Sequence, residues 1–308
     1  MKTQPKITVI IVARQGSSRL PGKALANVCN QPILNIMTHR LRQSPYVHEV
    51  IIATTTKPED DVIFTFGKDY EIPVFRGHPE DVLKRLADCA ETIETELVLE
   101  VGGDCPFVSP ALIKTGIEKF QHTQSDVVSN TLQSPFTYPV GYDFIMLTKK
   151  ALMKADKHAK LTSERFQPFQ YIVSHPEEFS IASFTRSQML NHWRWTLDYP
   201  EDLIFVQAIF DALYKENPLF GLDDIQSYLT THPEIAKINA MHIDPVVGSV
   251  AWFTNSYVSE VHADIRRLLD EAAKMEENNQ YDQTKNIYTQ IRALTSELYD
   301  RICTKSSS

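Results

Sequence analysis

Five of the six residues from Ile7 to Val12 are isoleucine or valine. A run this short, stiff at χ1 and apolar on both faces, has the pattern of a strand buried on both sides of a parallel sheet. It stops at Ala13, and the loop that follows holds Arg14, Arg19 and Lys23 together with Gly16, Ser17, Ser18 and Gly22. Three cations in a glycine-containing loop at a strand end suit a polyphosphate. Peptide N–H groups form a concavity for anions, guanidinium groups grip phosphate oxygens in pairs, and lysine acts as a point charge. The spacing fits neither Gly-x-x-x-x-Gly-Lys nor Gly-x-Gly-x-x-Gly. The residues alone therefore leave a second reading open, a basic surface loop after a core strand.

The alternation continues down the chain. Ile33, Leu34, Ile36, Met37 and Leu41 recur at helical spacing within residues 32–42, and residues 49–54 form a second apolar strand. An acidic helix start at Pro58, a short strand over 72–75, a helix over 81–95 and a strand over 97–101 follow. Strands alternating with helices of this length build βαβ units, hence a parallel sheet with right-handed crossovers and ligands beyond the strands' carboxyl ends. The basic loop lies at one such end. Asp104, in Gly102-Gly-Asp-Cys-Pro-Phe107, lies at another. Its carboxylate reads either as a Mg²⁺ ligand or as the cap of a helix starting near Pro110. Further strands are expected at 126–131, 141–147 and 180–184, with helices at 149–155 and 163–174. Trp193-Arg-Trp-Thr-Leu-Asp198 reads as one more strand, ending in Asp198 before a strongly apolar helix. Two carboxylates completed by substrate phosphates are the usual way a protein holds Mg²⁺, which wants oxygen ligands and keeps several waters.

The 308 residues suffice for one large α/β domain with an appendage. The formal net charge of −8 disfavours nucleic acid or an anionic membrane as partner, so phosphate binding has to be local. Cys29, Cys89, Cys105 and Cys303 form no Cys-x-x-Cys pair, which argues against a disulfide framework or zinc site and for a cytoplasmic, reducing setting. The first apolar run is too short for a signal sequence or a membrane span. The pattern divides the chain into a first domain over 1–217, a linker region over 218–257 and a C-terminal helical hairpin over 258–308. One helix of the hairpin carries Ile265, Leu268 and Leu269, the other Ile287, Ile291, Leu294 and Leu298, joined through Glu277-Asn-Asn-Gln-Tyr-Asp282. A pair this small has to bury its stripes, either in a homodimer or back against the first domain.

With these residues assembled, the chain resembles the cytidylyltransferases that activate sugar acids. The likeness is to the SpsF-like, spore-coat-polysaccharide branch, related to the acylneuraminate and 3-deoxy-manno-octulosonate enzymes. The motifs are Ala13-Arg-Gln-Gly-Ser-Ser-Arg-Leu-Pro-Gly-Lys23, Val74-Phe-Arg-Gly77 with Asp81-Val-Leu-Lys-Arg85, Gly103-Asp-Cys-Pro106, Tyr138-Pro-Val-Gly-Tyr-Asp143 and Arg194-Trp-Thr-Leu-Asp-Tyr-Pro-Glu-Asp202. The resemblance implies a mainly parallel-sheet, glycosyltransferase-A-like nucleotidyltransferase fold with a C-terminal helical extension. It implies transfer of CMP from CTP to a sugar acid with release of pyrophosphate, and a homodimer. Catalysis would fall to Arg14, Lys23, Asp104 and Asp198. The nucleotide would be held by Ala13, Arg14, Gly16, Ser17, Arg19, Lys23, Arg76 and Gly103, and Mg²⁺ by Asp104 and Asp198. The acceptor would meet Glu100, Tyr138, Asp143 and Arg194. Three departures fall on the acceptor side: Glu100 replaces a usual arginine, Ile145 a common glutamate, and Glu164-Arg-Phe-Gln-Pro168 the sequence Glu-His-Val-Thr-Pro. A charge reversal at Glu100 is expected to alter the choice of acceptor. Two other readings are weighed. A related-fold glycosyltransferase lacks its Asp-x-Asp motif before Asp104, and a non-catalytic nucleotide-binding or scaffold protein would be built round the hairpin.

Overall fold

The computed structural model describes residues 5–132, 136–243, 265, 267–269, 271–275 and 280–305. Nine strands are described: β1 (Ile7–Val12), β2 (Asn27–Val28), β3 (Gln31–Pro32), β4 (Val47–Thr55), β5 (Val74–Gly77), β6 (Leu97–Gly102), β7 (Val127–Ser129), β8 (Ile145–Thr148) and β9 (Ile181–Ser183). Seven of them form one sheet in the order β5-β4-β1-β6-β8-β7-β9. β1 lies between β4 and β6, parallel to both, with Ile11 opposite Ile52 and Val101. Among these strands β8 alone runs against its neighbours. The sheet is mostly parallel, as the strand–helix alternation predicts.

β1 explains its own composition. Val9 and Ile11 belong to one apolar cluster and Ile10 to another, on opposite faces of the sheet, and all three are fully buried. Truncating such a side chain to alanine costs about 2–5 kcal/mol, and the one polar residue of the strand, Thr8, is fully buried as well. The first face is covered by α1 (Ile33–Arg42), α2 (Asp61–Asp69), α4 (Pro110–Thr123) and α8 (Pro200–Leu213); the second by α3 (Val82–Glu91), α5 (Lys149–His158) and α7 (Gln170–Ser174). A short α6 (Thr162–Phe166) precedes α7. The single helix expected over 163–174 is thus two, broken around Pro168, which lacks an N–H and pushes the preceding residue out of the helical region.

Two other expectations are corrected. Residues 193–198 are extended but lie outside the sheet, held by Trp195 N to Val140 O at 2.7 Å and Leu197 N to Asp104 O at 2.8 Å. The described part of the expected linker, 218–243, is folded into the body of the domain as α9 (Leu222–Thr231), α10 (Pro233–Ala236) and a 3₁₀ turn over Ala240–His242. Phe220 and Ile225 are fully buried in the same cluster as Phe107. Arg40, itself fully buried, latches this segment by donating to Pro218 O at 2.6 Å and Phe220 O at 2.7 Å. The remaining linker residues, 244–257, lie outside the described residues.

At the C-terminus, α11 (Tyr281–Lys305) follows helical residues within 265–275. Leu268, Ala272 and Ile287 are buried together, with Ile265, Met275 and Ile291 against them and Leu161 reaching in from the connection before α6. Leu269 stands outside this contact and is exposed. Half of the expected connection, 277–279, and the side chains of Leu294 and Leu298 lie outside the described residues. No described helix is long and apolar enough to cross a membrane.

Candidate active site

The loop after β1 is fixed at both ends. Gln15 N donates to Asp60 Oδ1 at 2.6 Å, and the buried Asp60 also accepts the Thr55 hydroxyl. Gly22, in the left-handed region at φ 76°, turns the chain into a 3₁₀ helix over Lys23–Leu25 and brings Lys23 back to the strand ends. Beside it Gly103 N donates to Val12 O at 2.8 Å, and a Cβ on Gly103 would lie 2.8 Å from that of Ala13. Only glycine lets the loops after β1 and β6 meet this closely.

Asp104 follows. It does not cap α4: Ser109 Oγ accepts from Leu112 N at 3.4 Å and does that job, leaving the Asp104 carboxylate to the site. The Thr196 hydroxyl donates to Asp104 O at 3.1 Å, which together with the Leu197 amide stitches the segment carrying Asp198 alongside. Lys23 Nζ then sits 2.8 Å from Asp104 Oδ2 and 2.7 Å from Asp198 Oδ1. Burial pulls the Lys23 pKa down, but Asp104 and then Asp198 more than offset it, and the net shift is upward. Burial likewise raises Asp198, and the hydrogen bond and charge of Lys23, the hydrogen bond of Arg194 and the charge of Arg19 bring it below its ordinary value.

Arg194 donates from Nη2 to Asp198 Oδ2 and to Asp202 Oδ2, both at 2.9 Å, and from Nε to Asp202 Oδ1 at 3.0 Å. Asp202, fully buried, also accepts the amides of Asp198 and Tyr199 at 2.9 Å each and so closes the start of α8. Asn239 Nδ2 completes the set by donating to Asp202 Oδ1 at 2.9 Å and Arg194 O at 3.0 Å. Arg19 stacks over the Tyr199 ring at 4.8 Å and reaches Asp198 at 3.3 Å.

Two cavities meet at the carboxylates. One, of about 560 Å³, is walled by Ala13, Arg14, Gly16, Ser17, Arg19, Lys23 and Gly103. The other, of about 590 Å³, is walled mainly by apolar side chains, with Tyr138, Asp143 and Arg194 among the polar ones. Asp104, Asp198 and Phe166 line both. Mg²⁺ suits the two aspartates: the Lys23 ammonium already marks a cation position that both carboxylates reach, and both offer hard oxygen donors.

A sequence profile of the cytidylyltransferase family matches residues 8–229. The chain belongs to the cytidylyltransferase family. It is 27% identical over 241 residues to the spore coat polysaccharide biosynthesis protein SpsF of Bacillus subtilis, covering 75% of this chain and 96% of that one. It is 36% identical over 112 residues to the 3-deoxy-manno-octulosonate cytidylyltransferase of Geobacter metallireducens, covering 36% of this chain and 43% of that one. A cytidylyltransferase from Leptospira borgpetersenii superposes with a TM-score of 0.70 at 27% identity, covering 75% of this chain and 97% of that one.

Within this cytidylyltransferase, most expected residues converge and three are placed otherwise. Arg76 is turned away from the cation-lined cavity, donating to Thr55 O and Lys57 O at 3.0 Å each and pairing with Asp61 at 2.6 Å. Glu100, expected beside the acceptor, lines the cation-lined cavity, because its strand position lies under the loop after β1. Arg194 reaches the second cavity, but its guanidinium is committed to Asp198 and Asp202. Burial, then Asp104 and Asp143, push Glu100 up to about 8; burial, then Asp104, push Asp143 up to about 7. Sequence reasoning missed Arg85, which walls the cation-lined cavity while donating to His78 O at 2.8 Å. Its signal was an arginine on the apolar face of α3. Asp202 and Asn239 were missed as well, and for Asn239 no local signal exists.

Proposed function

We propose that this cytidylyltransferase moves CMP from CTP to a sugar acid, with Mg²⁺ held by Asp104 and Asp198. The observation that carries the reading is the meeting of the two cavities at these carboxylates. A triphosphate in the cation-lined cavity would present its α-phosphorus where an acceptor in the other could reach it. An acceptor oxygen forms a bond to that phosphorus, the bond to the β-phosphate bridging oxygen breaks, pyrophosphate leaves, and the acceptor hydroxyl gives up its proton to water. Arg14, Arg19 and Lys23 offset the charge that grows on the phosphates and on the leaving group, so the protein's part is positioning and electrostatics. Bound Mg²⁺ supplies further charge neutralisation at the phosphates. The sugar-acid acceptor draws support from the Geobacter relative, a 3-deoxy-manno-octulosonate cytidylyltransferase, and a role in polysaccharide synthesis from SpsF.

The test is incubation with each nucleoside triphosphate and a panel of sugar acids, following pyrophosphate. Release with CTP and Mg²⁺ that depends on one acceptor is expected; no release with any pair, or preference for another triphosphate, overturns the reading. The same reading carries a cytoplasmic homodimer, whose mass light scattering reports.

A further inference from the structure

α6 has only five residues, too few to hold a helix unaided, so its position is set by what it touches. Arg165 is turned inward, with Nε on Asp81 Oδ2 at 2.7 Å and Nη2 on Asp156 Oδ1 at 2.6 Å. Asp81 in turn caps α3, accepting from Lys84 N at 2.8 Å, and α3 supplies Val82 and Arg85 to the cation-lined cavity. Glu164 Oε2 accepts from the amides of Lys160 and Leu161 at 3.0 and 3.1 Å. The last hold comes from the C-terminal helices, outside the 8–229 family match: Leu161 packs on the cluster of Leu268, Ala272 and Ile287. Phe166, the residue after Arg165, faces the opposite way. Its side chain is 46% exposed and lines both cavities. An aromatic ring that lines both cavities from so anchored an element is placed to meet a ligand, since ligand sites are walled largely by apolar and aromatic side chains.

We propose that the C-terminal helical pair braces α6 and thereby fixes Phe166 as the wall on which the acceptor packs as it approaches the nucleotide. This rests on the reading of the two cavities given above. A sugar ring presents a face of C–H groups that suits an aromatic surface. A shift of that wall by a fraction of its width misdirects the attacking oxygen, because in-line transfer depends on placement of the reacting atoms. Leu161, at the start of α6, is the point through which the C-terminal helices act on the site.

The test uses the full chain. Leu268→Asp sets a charge in the cluster, and amide hydrogen exchange over residues 160–167, followed by mass spectrometry, is expected to accelerate. Leu161→Ala is expected to do the same from the other side. In turnover, Phe166→Ala and Leu268→Asp are each expected to raise the KM for the acceptor about five- to tenfold, with a smaller change in the KM for CTP. Phe166→Tyr restores the acceptor KM, and Leu268→Asp adds little once Phe166 is alanine. Unchanged exchange in both Leu268→Asp and Leu161→Ala overturns the brace. Acceptor effects that multiply fully in the double variant overturn its action through Phe166. Exchange needs no turnover, so failure of every sugar acid to react would overturn the acceptor reading and leave the brace to be decided by exchange.

Discussion

The ammonium of Lys23 lies 2.7 Å from Asp198 Oδ1, joining residues 175 positions apart in the chain. With Asp104 on its other side, it occupies the position a divalent cation would take between the two carboxylates. On the proposed reading, cation and lysine compete for the two carboxylates in the nucleotide-free chain, and an arriving triphosphate would give the lysine a second partner. Lys23→Met is expected to tighten Mn²⁺ binding to the nucleotide-free protein, measured by calorimetry, because Asp104 and Asp198 both lose the lysine between them while Asp198 keeps Arg194. The same variant is expected to lose about 2–4 kcal/mol of transition-state stabilisation in kcat/KM, the scale for one preorganised charge-stabilising donor. Unchanged metal binding would show that Lys23 does not hold the cation's place.

The two aspartates differ in a way that separates metal binding from structure. Asp104 has a 35% exposed side chain and Asp198 a 15% exposed one tied to Arg194 as well as Lys23. Asp104→Asn and Asp198→Asn are both expected to abolish pyrophosphate release. Thermal melting then divides them: Asp104→Asn stays near wild type, whereas Asp198→Asn melts lower, since it weakens a partly buried ion network. Full turnover in either variant contradicts the metal assignment.

The strand ends were legible because β-branched runs buried on both faces announce a central parallel sheet, and such a sheet puts its ligands beyond the carboxyl ends. That logic found the loop of Arg14 to Lys23 and Asp104; Asp198 was reached through a strand reading of 193–198, a segment that lies outside the sheet and is tied to the loop after β6 by Leu197 N to Asp104 O. It could not find the contacts among them, since nothing local links Lys23 to a residue 175 positions later. The chain from Pro218 on read as a linker region, and only the long-range latch of Arg40 onto the carbonyls of Pro218 and Phe220 shows that segment to be core. Arg194 was open to misreading for a related reason: its main partner, Asp202, is eight positions on and across a turn into α8.

Arg194 accordingly gives a prediction about stability before one about substrate. Arg194→Met strips the guanidinium from the fully buried Asp202, and an uncompensated buried charge costs about 3–5 kcal/mol. Arg194→Lys is expected to rescue little, because an ammonium cannot span two carboxylates with a planar fork. Asn239→Ala is expected to cost about 1–3 kcal/mol by leaving one Asp202 oxygen short of a donor. Urea unfolding measures all three. Wild-type stability in Arg194→Met, with only the acceptor KM raised, would return Arg194 to the acceptor.

Glu100 and Asp143 set the pH response of the metal-free protein. Their folded pKa values of about 8 and about 7 lie above those of the unfolded chain, about 4.3 and about 3.9. Between those limits the folded state binds more protons than the unfolded one, so their contribution favours folding below pH ~4 and is lost as pH rises towards ~8. Asp198 has the opposite sign: its pKa is lowered, so its contribution is present above the unfolded value and is lost as pH falls through the folded one. Neutral pH therefore isolates the first pair. With a chelator present, the melting temperature is expected to fall from pH ~5 to pH ~9, and Glu100→Gln or Asp143→Asn is expected to flatten that fall. A slope identical to wild type in both variants would mean that neither carboxyl is held neutral by its surroundings, and that the charge reversal at Glu100 adds a full negative charge to the wall of the cation-lined cavity.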